Sequence, residues 1–194
     1  FKGRYPGMSL TVSMLSAIEI LRLLREFEID VAVVTAEHLD EEFFGVPFAK
    51  LELGMLVGEE HPLHDEKDVY LRQLAKEPII LRESTSTTRR LYIKALKNAG
   101  IEPNVVMELR NQDAVREAVA SGLGLAPELV GGAPPDERLH RLSIVDAPIV
   151  CSEFIVCRRD RIDIRKVSAF FELAVEAGPF TENFDDILTA YAKS

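Results

Sequence analysis

The chain has no excess of basic charge: 23 Lys and Arg stand against 32 Asp and Glu, for a formal net charge of −9. Phosphate backbones are bound by Lys/Arg neutralisation, so this stretch carries no electrostatic footprint for nucleic acid. It also lacks any apolar run near the ~20 residues of a membrane-spanning helix, and no charged segment followed by an apolar one opens it. The expectation is a cytoplasmic protein with no membrane partner. Cysteine is scarce, with only Cys151 and Cys157. On one extended strand they would stand about 20 Å apart, at ~3.3 Å per residue, which excludes a disulfide between them. Nothing around them supplies the electropositive setting of a reactive thiol, so both read as strand residues. There is no Gly-x-Ser-x-Gly elbow, no P-loop, and no Gly-x-Gly-x-x-Gly with its following acid. The chain therefore reads as a non-enzyme without a cofactor. His61 and His64, between Glu59 and Asp65, have no further His or Cys near in sequence, so a solvated hinge is favoured over a metal site. No repeat at the 20–50-residue periods of solenoids is present.

What is present is ample apolar content, 47% of 194 residues, in patterns that alternate between strand and helix. Phe1 to Gly7 reads as the end of a helix followed by a Pro-Gly turn, so the chain opens inside an element. Leu10, Val12 and Met14 alternate with Ser9, Thr11 and Ser13, which predicts a strand. Ser16-Ala17-Ile18-Glu19 is a capping box, and Ile20, Leu21, Leu24 and Phe27 supply the apolar face of the helix it opens. Ile29 to Val34 is a β-branched run, which makes a β-α-β unit with parallel strands and a right-handed crossover. Glu37 to Glu42 is a charged loop. Leu51 to Val57 is a strand ending at Gly58 to His64, read as the first crossing between lobes, and Val69 to Lys76 is a short helix.

The chain then reaches the stretch richest in hydroxyls, Pro78-Ile79-Ile80-Leu81-Arg82-Glu83-Ser84-Thr85-Ser86-Thr87-Thr88-Arg89. An apolar strand runs into five consecutive Ser/Thr residues where the next helix must start. Helix N-termini expose unbonded amides at the positive end of the dipole, so the turn suits a carboxylate or phosphate, with Arg82, Arg89 and Arg90 adding charge. An ordinary Ser/Thr cap, which needs no ligand, accounts for the same residues. Gly100 and Pro103 close that helix. Val105, Met107 and Leu109 form a strand, and Asn111-Gln112-Asp113 caps a helix with Val115, Ala118 and Val119 inward and Gly122 after it. Leu123 to Ala126 is a short strand in which Gly124 allows close backbone approach. Gly131 to Asp136 reads as a surface loop, Leu139 to Ile144 and Glu153 to Cys157 as strands, the second being the return crossing. Ile164 to Val175 is an amphipathic helix, and Phe184, Ile187, Leu188 and Tyr191 lie at helical spacing in the tail.

These elements imply an α/β fold of two Rossmann-like lobes joined by two crossover strands, with a ligand cleft between them. Three loops qualify for its rim: Met14-Leu15-Ser16, the 82–89 turn, and Asn111-Gln112-Asp113. In this order and spacing, several fragments resemble the effector-binding domain of LysR-type transcriptional regulators. They are Phe1 with Tyr5-Pro6-Gly7, Leu23-Leu24 through Ile29-Asp30-Val31-Ala32, His61-Pro62-Leu63, Ile79 to Glu83 with Ser86, Thr88 and Arg89, and Ala118 to Leu125. The resemblance covers roughly residues 1 to 176 and implies a periplasmic-binding-protein-like fold of type 2. On it, residues 1–58 with 156–180 form one regulatory lobe whose first strand is missing, 59–155 form the other, and 181–194 are a C-terminal tail. The family's N-terminal winged helix-turn-helix and linker helix are absent from this chain.

The resemblance implies a sensor of a small anionic effector, a carboxylate or phosphonate, working in a homodimer or tetramer and touching DNA only through the absent domain. By position, Ser86, Thr88 and Arg89 match the family's effector turn. Thr85 and Thr87 stand where glycine is frequent, and their Cβ atoms exclude positive-φ conformations while adding hydroxyls. Arg82 and Thr87 complete the turn, Ser16 lies one residue before the family's usual serine, and Asn111 and Asp113 are polar candidates on the third loop. Glu108 to Gly124 and Phe154 to Arg158 are also similar to regulators associated with phosphonate use. One departure is that Gly124-Leu125-Ala126 meets Pro127 at once, where the family has a longer apolar run. The alternative is a stand-alone binding or enzyme domain of the same fold.

Overall fold

The computed structural model describes residues 1–129 and 136–178, and it divides into two compact units. Unit 1 comprises Phe1–Lys50 with Ser152–Ser194, and unit 2 comprises Leu51–Cys151. The chain passes between them twice, inside the long strand β2 (Phe43–Gly58) and inside β8 (Val150–Arg158). The sequence-based boundaries at 58/59 and 155/156 lie toward the ends of the same two strands. A strand's alternation continues across a domain boundary, so periodicity does not mark where the division falls. Of the loop expected at Gly131 to Asp136, all but Asp136 lies outside the described residues, as does the tail from 181 with its Phe184 to Tyr191 spacing.

In unit 1, α1 (Ala17–Arg25) is capped by Ser16, whose Oγ accepts from the Glu19 amide at 3.3 Å. Phe27 then enters the left-handed region at φ 60°, which ends the helix. Strand β1 (Ala32–Ala36) pairs antiparallel with β8, from Ala32 opposite Val156 to Ala36 opposite Ser152. The helix α5 (Arg165–Ala177) buries Val167, Phe171 and Val175 against Phe44, Val46, Ile155 and Cys157. Phe44 and Phe171 meet edge to face with ring centroids 5.2 Å apart. On a second cluster Leu24 packs with Val34, Phe43 and Val156, and Ile20 and Leu21 lie against it.

The strand expected at Leu10, Val12 and Met14 does not form. Residues 9–16 carry no ladder, and Val12 and Met14 are 77% and 97% exposed. The parallel β-α-β unit built on it therefore fails as well, because β1 finds β8 as an antiparallel neighbour. Alternation is necessary for a half-buried strand but not sufficient: the backbone N–H and C=O groups must also meet a neighbour's.

Cys151 and Cys157 both lie on β8, buried and unbridged. Burial, with Asp160 adding to it, pushes the Cys157 thiol up to about 12, so it stays protonated near neutral pH.

In unit 2 the second half of β2 sits between β6 (Ala126–Leu129) and β7 (Leu139–Ile144), antiparallel to both, and β3 (Asp68–Val69) runs parallel along β7. Strands β4 (Pro78–Arg82) and β5 (Asn104–Leu109) pair in parallel. A bridge between Ile79 and Leu125 attaches β4 to the residue before β6. There the Ile80 amide donates to the Leu125 carbonyl at 2.7 Å and the Leu125 amide to that of Pro78 at 2.8 Å. Gly124 makes this approach possible: it sits at φ 156°, and a Cβ would fall 2.4 Å from the Pro78 carbonyl oxygen. The core gathers Leu53, Met55, Val57, Leu71, Leu74, Ile79, Leu81, Tyr92, Leu96, Leu125 and Leu142, with α2 (Leu71–Leu74) and α3 (Thr87–Asn98) laid on it. Helix α4 (Gln112–Ala120) adds Val115, Ala118 and Val119, packed with Leu56, Ile80 and Ala126.

Candidate functional site

Parallel pairing of β4 with β5 brings their C-terminal ends together, with Arg82 opposite Leu109 and Leu81 opposite Glu108. Each strand runs within a few residues into a helix, so the N-termini of α3 and α4 open on one edge of unit 2. Arg82 ties them together, its Nη1 donating to Gln112 Oε1 at 3.3 Å.

The hydroxyl turn caps α3. Ser86 is the N-cap, at φ −69° and ψ 129°, and its Oγ accepts from the Arg89 amide at 3.5 Å. Ser86 and Thr87 are buried, while Thr85, Thr88 and Arg89 are half-buried. The side chains of Arg82 and Glu83, 23% and 18% exposed, meet fork to fork, with Nε to Oε2 at 2.9 Å and Nη2 to Oε1 at 3.1 Å. Thr85 Oγ1 adds a bond to Glu83 Oε1 at 3.4 Å. Burial alone would raise the Glu83 carboxyl. The bonds from Arg82, its own backbone amide and Thr85 outweigh it and hold the group below the ordinary glutamate value. Arg89 Nη1 donates to the Arg82 carbonyl at 2.8 Å and pairs with the more exposed Glu108.

Asn111 caps α4, its Oδ1 accepting from the Asp113 amide at 2.7 Å and the Ala114 amide at 3.4 Å. Asp113 is exposed in the first turn, where its charge complements the helix dipole. Of the nine nominated residues, unit 2 brings Arg82, Thr85, Ser86, Thr87, Thr88 and Arg89 into one turn, with Asn111 and Asp113 on the adjoining helix start. Ser16 belongs to unit 1, where it serves as the α1 cap.

Behind the turn lies a charge network that the sequence reading did not assemble. Glu128, on β6 and 4% exposed, accepts from Gln112 Nε2 at 3.0 Å and Arg116 Nη1 at 2.8 Å, and pairs with Arg141 Nη2. Gln112 thus links the buried Glu128 to Arg82. The available signals were a lone acid inside the apolar run Leu125 to Leu129 and an arginine beside the inward Val115, but neither names its partner. Also in unit 2, His61 lies 3.4 Å from Glu77, and the His64 and His140 rings meet at a tilt of 57° with centroids 5.4 Å apart, with His64 Nδ1 3.2 Å from the Gly58 carbonyl oxygen. Among the described residues no group of three or more His, Cys, Asp or Glu could hold a metal ion. No described helix is long and apolar enough to cross a membrane.

The profile of the family described as "LysR substrate binding domain" matches residues 1–179. The HTH-type transcriptional regulator YwbI of Bacillus subtilis is 28% identical over 164 residues, covering 83% of this chain and 54% of that protein. The chain spans about half the length of the curated relatives it matches. Among solved structures, the regulatory domain of CcmR from Synechocystis, in complex with 2-PG, has a TM-score of 0.83 at 19% identity, with 93% of this chain and 88% of that one covered. The effector-binding domain of QuiR in complex with shikimate has a TM-score of 0.75 at 20% identity, covering 84% and 78%. These likenesses bear out the α/β, periplasmic-binding-protein-like fold expected from the sequence.

Proposed function

The chain belongs to the LysR substrate-binding domain family, and on that premise we propose that it is the effector-sensing part of a LysR-type DNA-binding transcriptional regulator. It binds a small anionic metabolite, a carboxylate or phosphonate, at the turn from Arg82 to Arg89. DNA is read through a separate N-terminal domain of the longer protein, in the cytoplasm and as a homodimer or tetramer. The relatives named as transcriptional regulators support a sensor over an enzyme of the same fold. The observation that carries the site is the meeting of two helix N-termini with the Arg82 guanidinium on one edge of unit 2. There Thr87 and Thr88 offer hydroxyls, while Arg82 and Arg89 offer charge. Ser86 shapes the turn as its cap, and Thr85 steadies Glu83. Asn111 and Asp113 contribute from the adjoining start, where Asp113 or Glu108 suits an ammonium group on the ligand.

Isothermal titration against a panel of carboxylates and phosphonates tests the site. Thr88→Ala and Ser86→Ala are each expected to lower the affinity of the panel's best ligand at least tenfold. Thr88→Ala leaves the α3 cap in place, which separates ligand loss from cap loss, and unchanged affinity in both variants sinks the assignment. Light scattering is expected to report a dimer or tetramer, and a strict monomer at high concentration would remove the oligomer proposal for this domain.

A further inference from the structure

We infer that Glu83 is an internal competitor at this anion site: its carboxylate occupies the Arg82 fork and the Thr85 hydroxyl that an incoming oxyanion would take. The inference rests on the anion-binding reading of the turn and adds to it a class of ligand and a means of rejecting the others.

The geometry is that of substitution. Glu83 meets Arg82 through two parallel bonds, at 2.9 and 3.1 Å, the arrangement by which arginine grips a ligand carboxylate or phosphate-type group. The third side of the guanidinium, Nη1, is held separately by Gln112, which is anchored in turn by the buried Glu128. Arg82 is thus fixed from behind whether or not Glu83 is in place. Among the described residues, the donors that hold Glu83 all lie on its own stretch of chain: Arg82, Thr85 and its own amide. Its side chain is 18% exposed and burial opposes its charge, so swinging outward into water relieves that cost and favours release.

Such an exchange replaces one oxyanion by another and leaves the count of charge-assisted bonds unchanged. Only a ligand with two suitably spaced oxygens restores both bonds at Arg82. Chloride, a single acceptor shared between the two N–H groups, meets neither in line, and a neutral polar molecule restores neither at comparable strength. Arg89 differs: its Nη1 is shared between the Arg82 carbonyl and Glu108, whose side chain is 53% exposed, an ordinary surface pair with no fork to be exchanged. The competitor therefore sets a threshold at Arg82 that admits carboxylates, sulfate and phosphate-type groups.

Inorganic sulfate, which keeps its charge across the accessible pH range, is the probe. Amide chemical shifts of the isotopically labelled chain are followed at Thr88 and Arg89 during sulfate titration of the native sequence, Glu83→Gln and Glu83→Ala. Both variants are expected to bind sulfate at least fivefold more tightly, with Glu83→Ala excluding a new donor as the cause. A smaller gain, with shifts still present at those amides, overturns the competitor while leaving the anion site standing. Absence of shifts in all three proteins removes the anion reading itself, and the inference with it. A crystal structure of the native chain in sulfate needs no variant. Sulfate on Arg82 Nε and Nη2 with Glu83 turned away supports the exchange, whereas sulfate at the turn with the Arg82–Glu83 fork intact refutes it.

Discussion

Glu128→Ala is expected to lower the stability of unit 2 by about 3–5 kcal/mol, the range for breaking a buried charge pair from one side. Glu128 is 4% exposed and serves three donors at once. Removing it takes from the buried Arg116 and the part-exposed Arg141 the carboxylate they share, while Arg141 Nε already lacks a partner among the described residues. The loss is mainly the desolvation cost of the guanidinium groups that lose this carboxylate rather than the worth of the pair, so a triple replacement of Glu128, Arg116 and Arg141 by apolar residues of similar volume is expected to recover most of it. Urea unfolding at constant m-value reads both effects. A loss below about 1 kcal/mol for Glu128→Ala would mean that water reaches the network, since solvated pairs are worth no more than that. The same variant frees Gln112, so anion affinity at the Arg82 turn is expected to fall with it.

Gly124→Ala is expected to cost about 3 kcal/mol, at the upper end of ordinary single substitutions. Two causes add together: a φ of 156° that side-chain-bearing residues rarely adopt, and a Cβ placed 2.4 Å from the Pro78 carbonyl oxygen. That oxygen accepts the Leu125 amide and sits at the start of β4, so it cannot yield without loosening the bridge that aligns β4 with β6. Gly122 is the internal control. It follows α4 at φ 72°, and a Cβ there would meet nothing within 4 Å. Gly122→Ala is expected to carry only the left-handed penalty of about 1 kcal/mol. Chemical denaturation of the two variants side by side checks this, and equal losses would show that the close approach at Gly124 contributes nothing.

Local patterns in the sequence decided a good part of the molecule. The capping serines and asparagine stood out because a cap needs only one side chain and the two or three amides that follow it: Ser16, Ser86 and Asn111 each accept from the helix they open. Gly100 and Gly122, at φ 67° and 72°, follow the ends of α3 and α4 for an equally local reason. The apolar run Ile79 to Leu81 marked a buried strand, and Gly124 a close backbone approach. Fold class and family followed from the order of such fragments.

Partnership was decided only by the tertiary structure. Leu10, Val12 and Met14 have the alternation of a strand, yet among the described residues no neighbour supplies the other half of a ladder. β1 was readable as a strand, but its antiparallel pairing with β8, more than a hundred residues on, was not. At the candidate site, the hydroxyls and arginines of the 82–89 turn were visible one by one, whereas their occupation was not. Arg82 is held by Glu83 and Gln112, and Gln112 by a glutamate from β6 that also holds arginines from α4 and β7. Caps and turns join residues a few positions apart, so composition in a short window specifies them. Ladders and charge networks join residues brought together by folding, and nothing in a short window records which ones will meet.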